Sequence, residues 1–392
     1  MTLPVLADLD GVEGARVLTR LDLNVPIDHG AVQDDTRIVA AAATLKWLGE
    51  RASMIAACSH LGKAKGVPDP VYSLAPVAPV LADVLGRPVR FVADCLDPSI
   101  ADAEPGTVLL LENLRFHPGE KADDPAFAAR LTAPFTHYVN DAFGTAHRAH
   151  ASVSAAPRGF AHGKKAAGFL MESEVAALSR LVTDPEQPFV AVVGGAKIST
   201  KTAPLEALLD RVRTLLIGGG MANTFLKAQG REIGRSLVED EMLATARAVM
   251  DKAAERGIEL LIPIDLVVAD GLDGASRVEV VASDAIPADL MAVDLGPRTC
   301  RRYAAALAGA KTVFWNGPMG VFEVDEFARG TLAVATAMAE CPGFTVVGGG
   351  ESVLAIRRAG VVDRIGHVST GGGASLSFLT GELLPALAAL EE

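Results

Sequence analysis

Short apolar runs recur along the chain without alternation, and each stops at a glycine or a polar cluster. Arg16-Val17-Leu18-Thr19-Arg20-Leu21-Asp22, Met54–Cys58, Val89-Arg90-Phe91, Val108–Leu111 and His137-Tyr138-Val139 occupy the first half. Val190–Val193, Thr214–Ile217, Phe344–Val347 and Ile365–Ser369 occupy the second. Runs of this kind fit strands of a parallel sheet buried on both faces. Between them, apolar residues fall at helical spacing over Thr36–Glu50, Leu74–Leu85, Pro125–Leu131, Met171–Val182 and Ala374–Leu390. This β-α rhythm predicts an α/β fold of doubly wound parallel sheets with helices on both faces.

A chain of 392 residues exceeds what one core usually serves, so two domains are expected. Arg158–Gly168 is rich in Gly, Ala and Lys, has little apolar pattern, and reads as the end of the first domain. Met171–Val182 reads as a connecting helix, broken by Thr183-Asp184-Pro185-Glu186-Gln187-Pro188. The expected domains are 1–168 and 169–375. No internal repeat or low-complexity tract interrupts them.

Composition narrows the function. The formal net charge of -12 argues against a general nucleic-acid binder, although a local basic cluster can still hold a small anion. Cys58, Cys95, Cys300 and Cys341 are scattered, with no CxxC, which argues against a zinc site or disulfide framework. The start Met1-Thr2-Leu3-Pro4 lacks a leader pattern, and no apolar run reaches membrane-spanning length. The expectation is a soluble cytoplasmic protein.

The chemistry lies at the strand ends. In the second half these are glycine loops: Gly194-Gly195-Ala196-Lys197, Gly218-Gly219-Gly220, Gly348-Gly349-Gly350-Glu351-Ser352 and Gly371-Gly372-Gly373. Ligands of open α/β sheets bind outside the carboxyl ends of the strands, and helix starts there favour anions. Four such loops point to one polyphosphate. The first-half strands end in Asp22 and Asn24, in Ser59-His60-Leu61-Gly62-Lys63, in Glu112-Asn113-Leu114-Arg115, and in Asn140–His150 with His147 and Arg148. A basic anion site and a glycine-lined nucleotide site suit a two-substrate phosphoryl transferase. A metal pair at His147 and His150 lacks a third ligand in the local pattern. The chain contains no GxSxG, no GxxxxGK[ST], and no GxGxxG after the first strand. That speaks against an α/β hydrolase, a Walker-type NTPase and a dinucleotide-binding dehydrogenase.

Seven segments, in order along the chain, resemble phosphoglycerate kinases: Arg20–Pro26, Ser59–Gly62, Leu111–Phe116, Val139–Ala151, Gly194–Lys197, Trp315–Glu323 and Ser369–Ser375. The resemblance implies two Rossmann-like, three-layer domains joined by a helix, with residues 376–392 returning to the first. It implies transfer between 1,3-bisphosphoglycerate and ADP, with Mg²⁺, by a monomer. Asp22, Leu23, Asn24, Arg37, His60, Leu61, Gly62, Lys63, Arg115 and Arg148 would hold phosphoglycerate. Gly195, Ala196, Lys201, Gly218, Gly219, Ala292, Asn316, Pro318, Glu323, Gly349, Gly350, Glu351 and Ser352 would hold the nucleotide, with Glu351 at the metal. Arg37, Lys197 and the backbone of Gly371, Gly372 and Gly373 would serve the transferring group. Glu174 and His367 would meet near a hinge.

Four departures from the family pattern stand out. Lys63 stands for Arg, Glu351-Ser352 for Asp-Thr, Ala292 for Gly, and Leu21 and Leu23 for Val and Phe. None removes a functional group type. A catalytically silent nucleotide-binding protein is the alternative from another class, and the presence of Arg37 and Lys197 speaks against it.

Overall fold

The computed structural model describes residues 3–392. The chain divides into two compact units: the residues up to Ala176 with Leu383–Glu392, and Ala177–Glu382. The sequence reading placed these divides at 168/169 and 375/376. The first divide falls inside the helix Phe169–Val182.

In the first unit Arg16–Leu21 (β1), Met54–Cys58 (β4), Val89–Val92 (β5), Thr107–Leu111 (β6), His137–Asp141 (β7) and Lys165–Ala167 (β8) form one sheet. Its order is β5-β6-β4-β1-β7-β8, and every neighbouring pair is parallel. Ile27–Asp28 (β2) and Ala31–Val32 (β3) form a small separate hairpin. The central strands are buried along nearly their whole length, which accounts for their unalternated sequences. From β1 the chain adds strands on one side through β4, then returns to the other side at β7. Asp22 and Asn24 leave β1 at that reversal, where open sheets leave a crevice.

The second unit repeats the plan. Phe189–Val193 (β9), Thr214–Ile217 (β10), Glu259–Leu261 (β11), Thr312–Asn316 (β15), Phe344–Gly348 (β16) and His367–Val368 (β17) form a parallel sheet ordered β11-β10-β9-β15-β16-β17. The reversal lies between β9 and β15, so Gly194-Gly195 and Asn316-Gly317-Pro318 flank it. Asp265–Ala269 (β12), Val278–Ala282 (β13) and Met291–Leu295 (β14) form an antiparallel sheet that the sequence reading missed.

Two further expectations are corrected. Residues 165–167, inside the stretch read as the first domain's end with little apolar pattern, are a buried edge strand paired with β7. Three residues are too few to show a period. The single helix expected over Ala374–Leu390 is two helices, Gly373–Leu379 and Pro385–Glu391. Gly381 takes a φ of +81° and Pro385 has no N–H to continue a helix, so the chain must turn between them. The last helix belongs to the first unit: Lys165 Nζ donates to Ala389 O at 2.9 Å, and Arg158 pairs with Glu392 at 2.8 Å.

Candidate active site

In the first unit the strand ends build a cationic cluster. Arg37, near the start of the helix Thr36–Gly49, donates from Nη1 to Asp22 Oδ2 at 2.7 Å. Asn24 Oδ1 accepts from Gly62 N at 2.8 Å, tying the loop after β1 to the loop after β4. Arg115 Nη1 donates to Gly62 O at 2.7 Å, and Asn113 Nδ2 donates to Leu61 O at 2.8 Å. Leu23 N donates to Ser59 Oγ at 2.9 Å. The loops therefore hold one another before any ligand arrives.

Arg115 is buried, yet its Nε and Nη2 have no partner. Burial, with the charges of Arg148 and Arg20, lowers its pKa to about 10. Buried guanidinium nitrogens left unpaired are costly, and an anionic ligand is the group that satisfies them. His60 is also buried. Burial first, then Arg20, Arg115, Arg148 and Arg37, holds its pKa well below the usual imidazole value. Arg20 Nη2 lies 3.2 Å from His60 Nδ1 and can only donate, so Nδ1 accepts and the proton sits on Nε2. His60 thus presents a neutral N–H donor. His150 is lowered to about 4, by burial and then by Arg115 and Arg20, and is neutral too.

Arg20 was legible in the sequence only as a charge inside an apolar run. It is fully buried and donates to Ser152 Oγ at 2.9 Å. Ser152 Oγ donates in turn to Glu120 Oε1 at 2.7 Å. This buried triad supports His60 from behind. Lys63 and Arg148 are exposed. The group among the described residues with metal-ligating atoms close together is Asp94, Cys95 and His117, not His147 and His150. There His117 Nε2 lies 2.8 Å from Asp94 Oδ1, and burial holds the Cys95 thiol protonated.

In the second unit, the loops at the reversal are fastened by Lys201. Its Nζ donates to Gly194 O at 2.7 Å, to Asn316 Oδ1 at 2.7 Å and to Asn316 O at 3.1 Å. Burial lowers its pKa to about 8, opposed by the charge of Glu351. The glycines serve backbone packing here. A Cβ on Gly194 would fall 2.2 Å from Pro318 O, and one on Gly219, at φ +67°, 2.6 Å from Gly195 N. Ser352 is buried, and its Oγ accepts from Gly317 N at 2.6 Å, so it braces β15 from below. Gly371 N donates to Ser369 Oγ at 3.1 Å, and Gly372, at φ +49°, precedes the helix Gly373–Leu379.

A cavity of about 350 Å³ opens beside these loops. Gly195, Ala196, Gly219, Ala292, Pro318, Glu323 and Glu351 line it, as do Asn223, Leu237, Leu266, Leu272, Met291 and Asp294. The second set went unread in the sequence. Leu266, Met291 and Asp294 belong to the missed antiparallel sheet, and Asn223 looks like any residue of the buried helix Gly220–Ala228. Gly218 is buried behind the loop, with its N donating to Val193 O at 3.0 Å. Gly349 precedes the helix Gly350–Arg358, and Glu351 stands exposed in its first turn. Lys197 is exposed and does not line the cavity. The lining thus combines helix starts and Glu351 with the apolar side chains of Leu237, Leu266, Leu272 and Met291, a combination suited to a phosphorylated nucleoside.

Comparison with known proteins agrees. The phosphoglycerate kinase family model matches residues 6–382. The phosphoglycerate kinase of Moorella thermoacetica is 51% identical over 392 residues, covering 99% of this chain and 98% of the relative. That of Thermomicrobium roseum is 52% identical over 385 residues, covering 97% of each. The structure of phosphoglycerate kinase from Coxiella burnetii superposes with a TM-score of 0.88 at 42% identity, covering 100% of this chain and 98% of the other.

Proposed function

The chain belongs to the phosphoglycerate kinase family, and from that premise we propose how its residues divide the reaction. The activity is reversible phosphoryl transfer from 1,3-bisphosphoglycerate to ADP, giving 3-phosphoglycerate and ATP. The unpartnered nitrogens of buried Arg115 carry the assignment of the phosphoglycerate site to the first unit. Arg115 and Arg148 take the substrate's phosphate, and His60 Nε2–H donates to a substrate oxygen. Arg37, aligned by Asp22, faces the group in transfer.

The nucleotide occupies the cavity of the second unit, its phosphates at Gly195, Ala196, Gly219, Gly349, Gly350 and the helix starts. Glu323, exposed at the rim, accepts from a ribose hydroxyl. Lys201 holds the loops that shape the phosphate end, and Lys197 reaches the transferring group from the exposed loop. Mg²⁺ enters with the nucleotide. Glu351 fits it, being an exposed carboxylate at the cavity rim beside helix amides, and Mg²⁺ prefers oxygen donors. The ion would neutralise phosphate charge there.

Transfer needs placement and charge neutralisation more than covalent help. The attacking carboxylate of 3-phosphoglycerate is ionised near neutral pH, so no protein base is required. Arg37, Lys197 and the amides of Gly372 and Gly373 neutralise the equatorial oxygens of an in-line transfer, the Gly371 amide being held by Ser369 Oγ. Water must be excluded, which calls for a closing movement of the two units, with Glu174 and His367 at the hinge. Small-angle scattering with both substrates should show compaction, and an unchanged radius in a working enzyme would contradict closure. A cytoplasmic monomer completes the reading, and sedimentation and fractionation test it. A coupled assay of ATP formation from 1,3-bisphosphoglycerate and ADP tests the whole. Nucleotide binding without transfer would leave the silent-protein alternative standing.

A further inference from the structure

Glu239 is buried, and in the chain it stands between the helix Gly220–Ala228 and the short turn Asp240–Met242. Its backbone is held in place. Glu239 N donates to Thr224 Oγ1 at 3.2 Å, and Asn223 Nδ2 donates to Leu237 O at 3.1 Å. Both partners stand on that helix, so a rigid element carries the carboxylate. A buried carboxylate is costly unless donors surround it. Here the donors come from forty positions earlier: Ser199 N donates to Oε2 at 3.1 Å, and Ser199 Oγ donates to Oε1. Burial would raise the Glu239 carboxyl, but the hydroxyl and amide of Ser199, the amide of Ile198 and then the charge of Lys197 bring it below its ordinary value.

These donors sit in the middle of the loop that carries Lys197. The start of the loop is fastened to the turn after β15, with Gly194 N donating to Asn316 O at 3.0 Å and Gly195 N to Pro318 O at 2.8 Å. Its far end is Lys201, whose ammonium bonds Gly194 O and Asn316. Between them Lys197, Ser199 and Thr200 are exposed, and Ile198 points inward. Glu239 grips this exposed stretch at two consecutive amides and a hydroxyl.

We propose that Glu239 is a positioning residue for phosphoryl transfer: by holding Ile198 and Ser199 it fixes the loop beside Lys197, and with it the place of that ammonium. The inference rests on the reading that Lys197 serves the transferring group. A long exposed lysine on a loose loop visits many positions, and transfer depends on placement. The charge of Glu239 is not what helps, since an anion near Lys197 opposes the neutralisation of phosphate. The two effects have opposite signs. Loss of the charge alone would speed transfer, whereas loss of the grip slows it.

Glu239→Gln tests this, because an amide offers one acceptor oxygen where the carboxylate offers two. Single-turnover transfer from ATP to 3-phosphoglycerate should slow roughly tenfold to a hundredfold. Calorimetric affinities for ADP and for 3-phosphoglycerate should stay within about twofold, since neither ligand loses a contact. In a Lys197→Ala background the same substitution should cost less than about twofold, because the group it places is gone. Ser199→Ala removes one grip at an exposed position and should slow transfer severalfold, so the test stands even where Glu239→Gln does not fold. Unchanged or faster transfer in folded Glu239→Gln, or unchanged transfer in Ser199→Ala, overturns the proposal. So does an ADP affinity that falls as far as the transfer rate. If Lys197→Ala is slow and Glu239→Gln slows it further by the full factor, the positioning role alone is sunk. If Lys197→Ala transfers at the unsubstituted rate, the reading of Lys197 fails and this inference fails with it.

Discussion

The Arg37 guanidinium donates to the Asp22 carboxylate at 2.7 Å, with Asp22 buried and Arg37 half exposed. The first strand ends where the first long helix begins, and this bond sets the direction of the cation from which most of the chemistry is expected. One nitrogen is engaged by the protein, and the rest of the planar fork is left for a ligand.

Arg37→Ala should therefore lower kcat more than it raises the KM for phosphoglycerate, by roughly tenfold to a hundredfold or more. Arg37→Lys should recover only part of the loss, because an ammonium lacks the fork. Asp22→Asn should cost less than Arg37→Ala. Steady-state kinetics decide: a change confined to KM would remove Arg37 from the transferring group.

Arg115 is held in place at the expense of solvation, with its pKa lowered to about 10 chiefly by burial. Arg115→Met should weaken 3-phosphoglycerate binding by roughly tenfold to a hundredfold. It should not lower the melting temperature of the unliganded protein, since it removes a desolvated cation. Thermal melts with and without 3-phosphoglycerate read both effects. A variant that melts several degrees lower yet binds normally would make Arg115 a structural residue.

Burial raises Asp294 from its ordinary 3.8 to about 7. Between those values the folded chain keeps a proton that the unfolded chain has released. Stability contributed at this site therefore falls as pH rises through the window, and levels off above about 7. Asp294→Asn stays neutral, can still accept from Gly330 N, and abolishes the fall. Urea denaturation at pH 5 and pH 8 should show the variant gaining on the unsubstituted protein at the higher pH, by on the order of a few kcal/mol. An equal difference at both pH values would mean that Asp294 does not titrate in this range.

Glu351→Gln should lower activity and raise the Mg²⁺ concentration for half-maximal rate, while Glu351→Asp keeps most of the activity. A carboxylate in the first turn of a helix also complements the helix dipole. That role alone would cost some stability and leave the metal titration where it was. Titrating Mg²⁺ at saturating ADP separates the two, and an unshifted midpoint in Glu351→Gln removes the ion from this residue.

The central strands of both sheets could be read from the sequence because burial on both faces demands apolar side chains at every position, as in Met54–Cys58 and Phe189–Val193. Glycines at their ends could be read because backbones approach too closely there for a Cβ. The antiparallel sheet was hidden. Val278–Ala282 is only partly buried, and it pairs with Asp265–Ala269 across residues 270–277, with no tight turn to mark the pairing. The break before Pro385 was written in the sequence but lost among the alanines around it.

The sequence by itself determined which residue types stand at the strand ends, since a strand, its buried faces and the loop after it are all local. It could not decide what those residues do there. Lys201 was expected at the nucleotide, yet its ammonium is fastened to Asn316, 115 positions away. His60 reads as an ordinary imidazole, yet it is neutral and donates from Nε2, because it is buried and because Arg20, from β1, and Arg115, from the turn after β6, come to it. Asn223 reads as one more buried helical residue, yet it borders the cavity and its Oδ1 finds no partner in the fold. Charge state and hydrogen-bond satisfaction depend on neighbours within a few ångströms in space, and folding alone determines which residues those are.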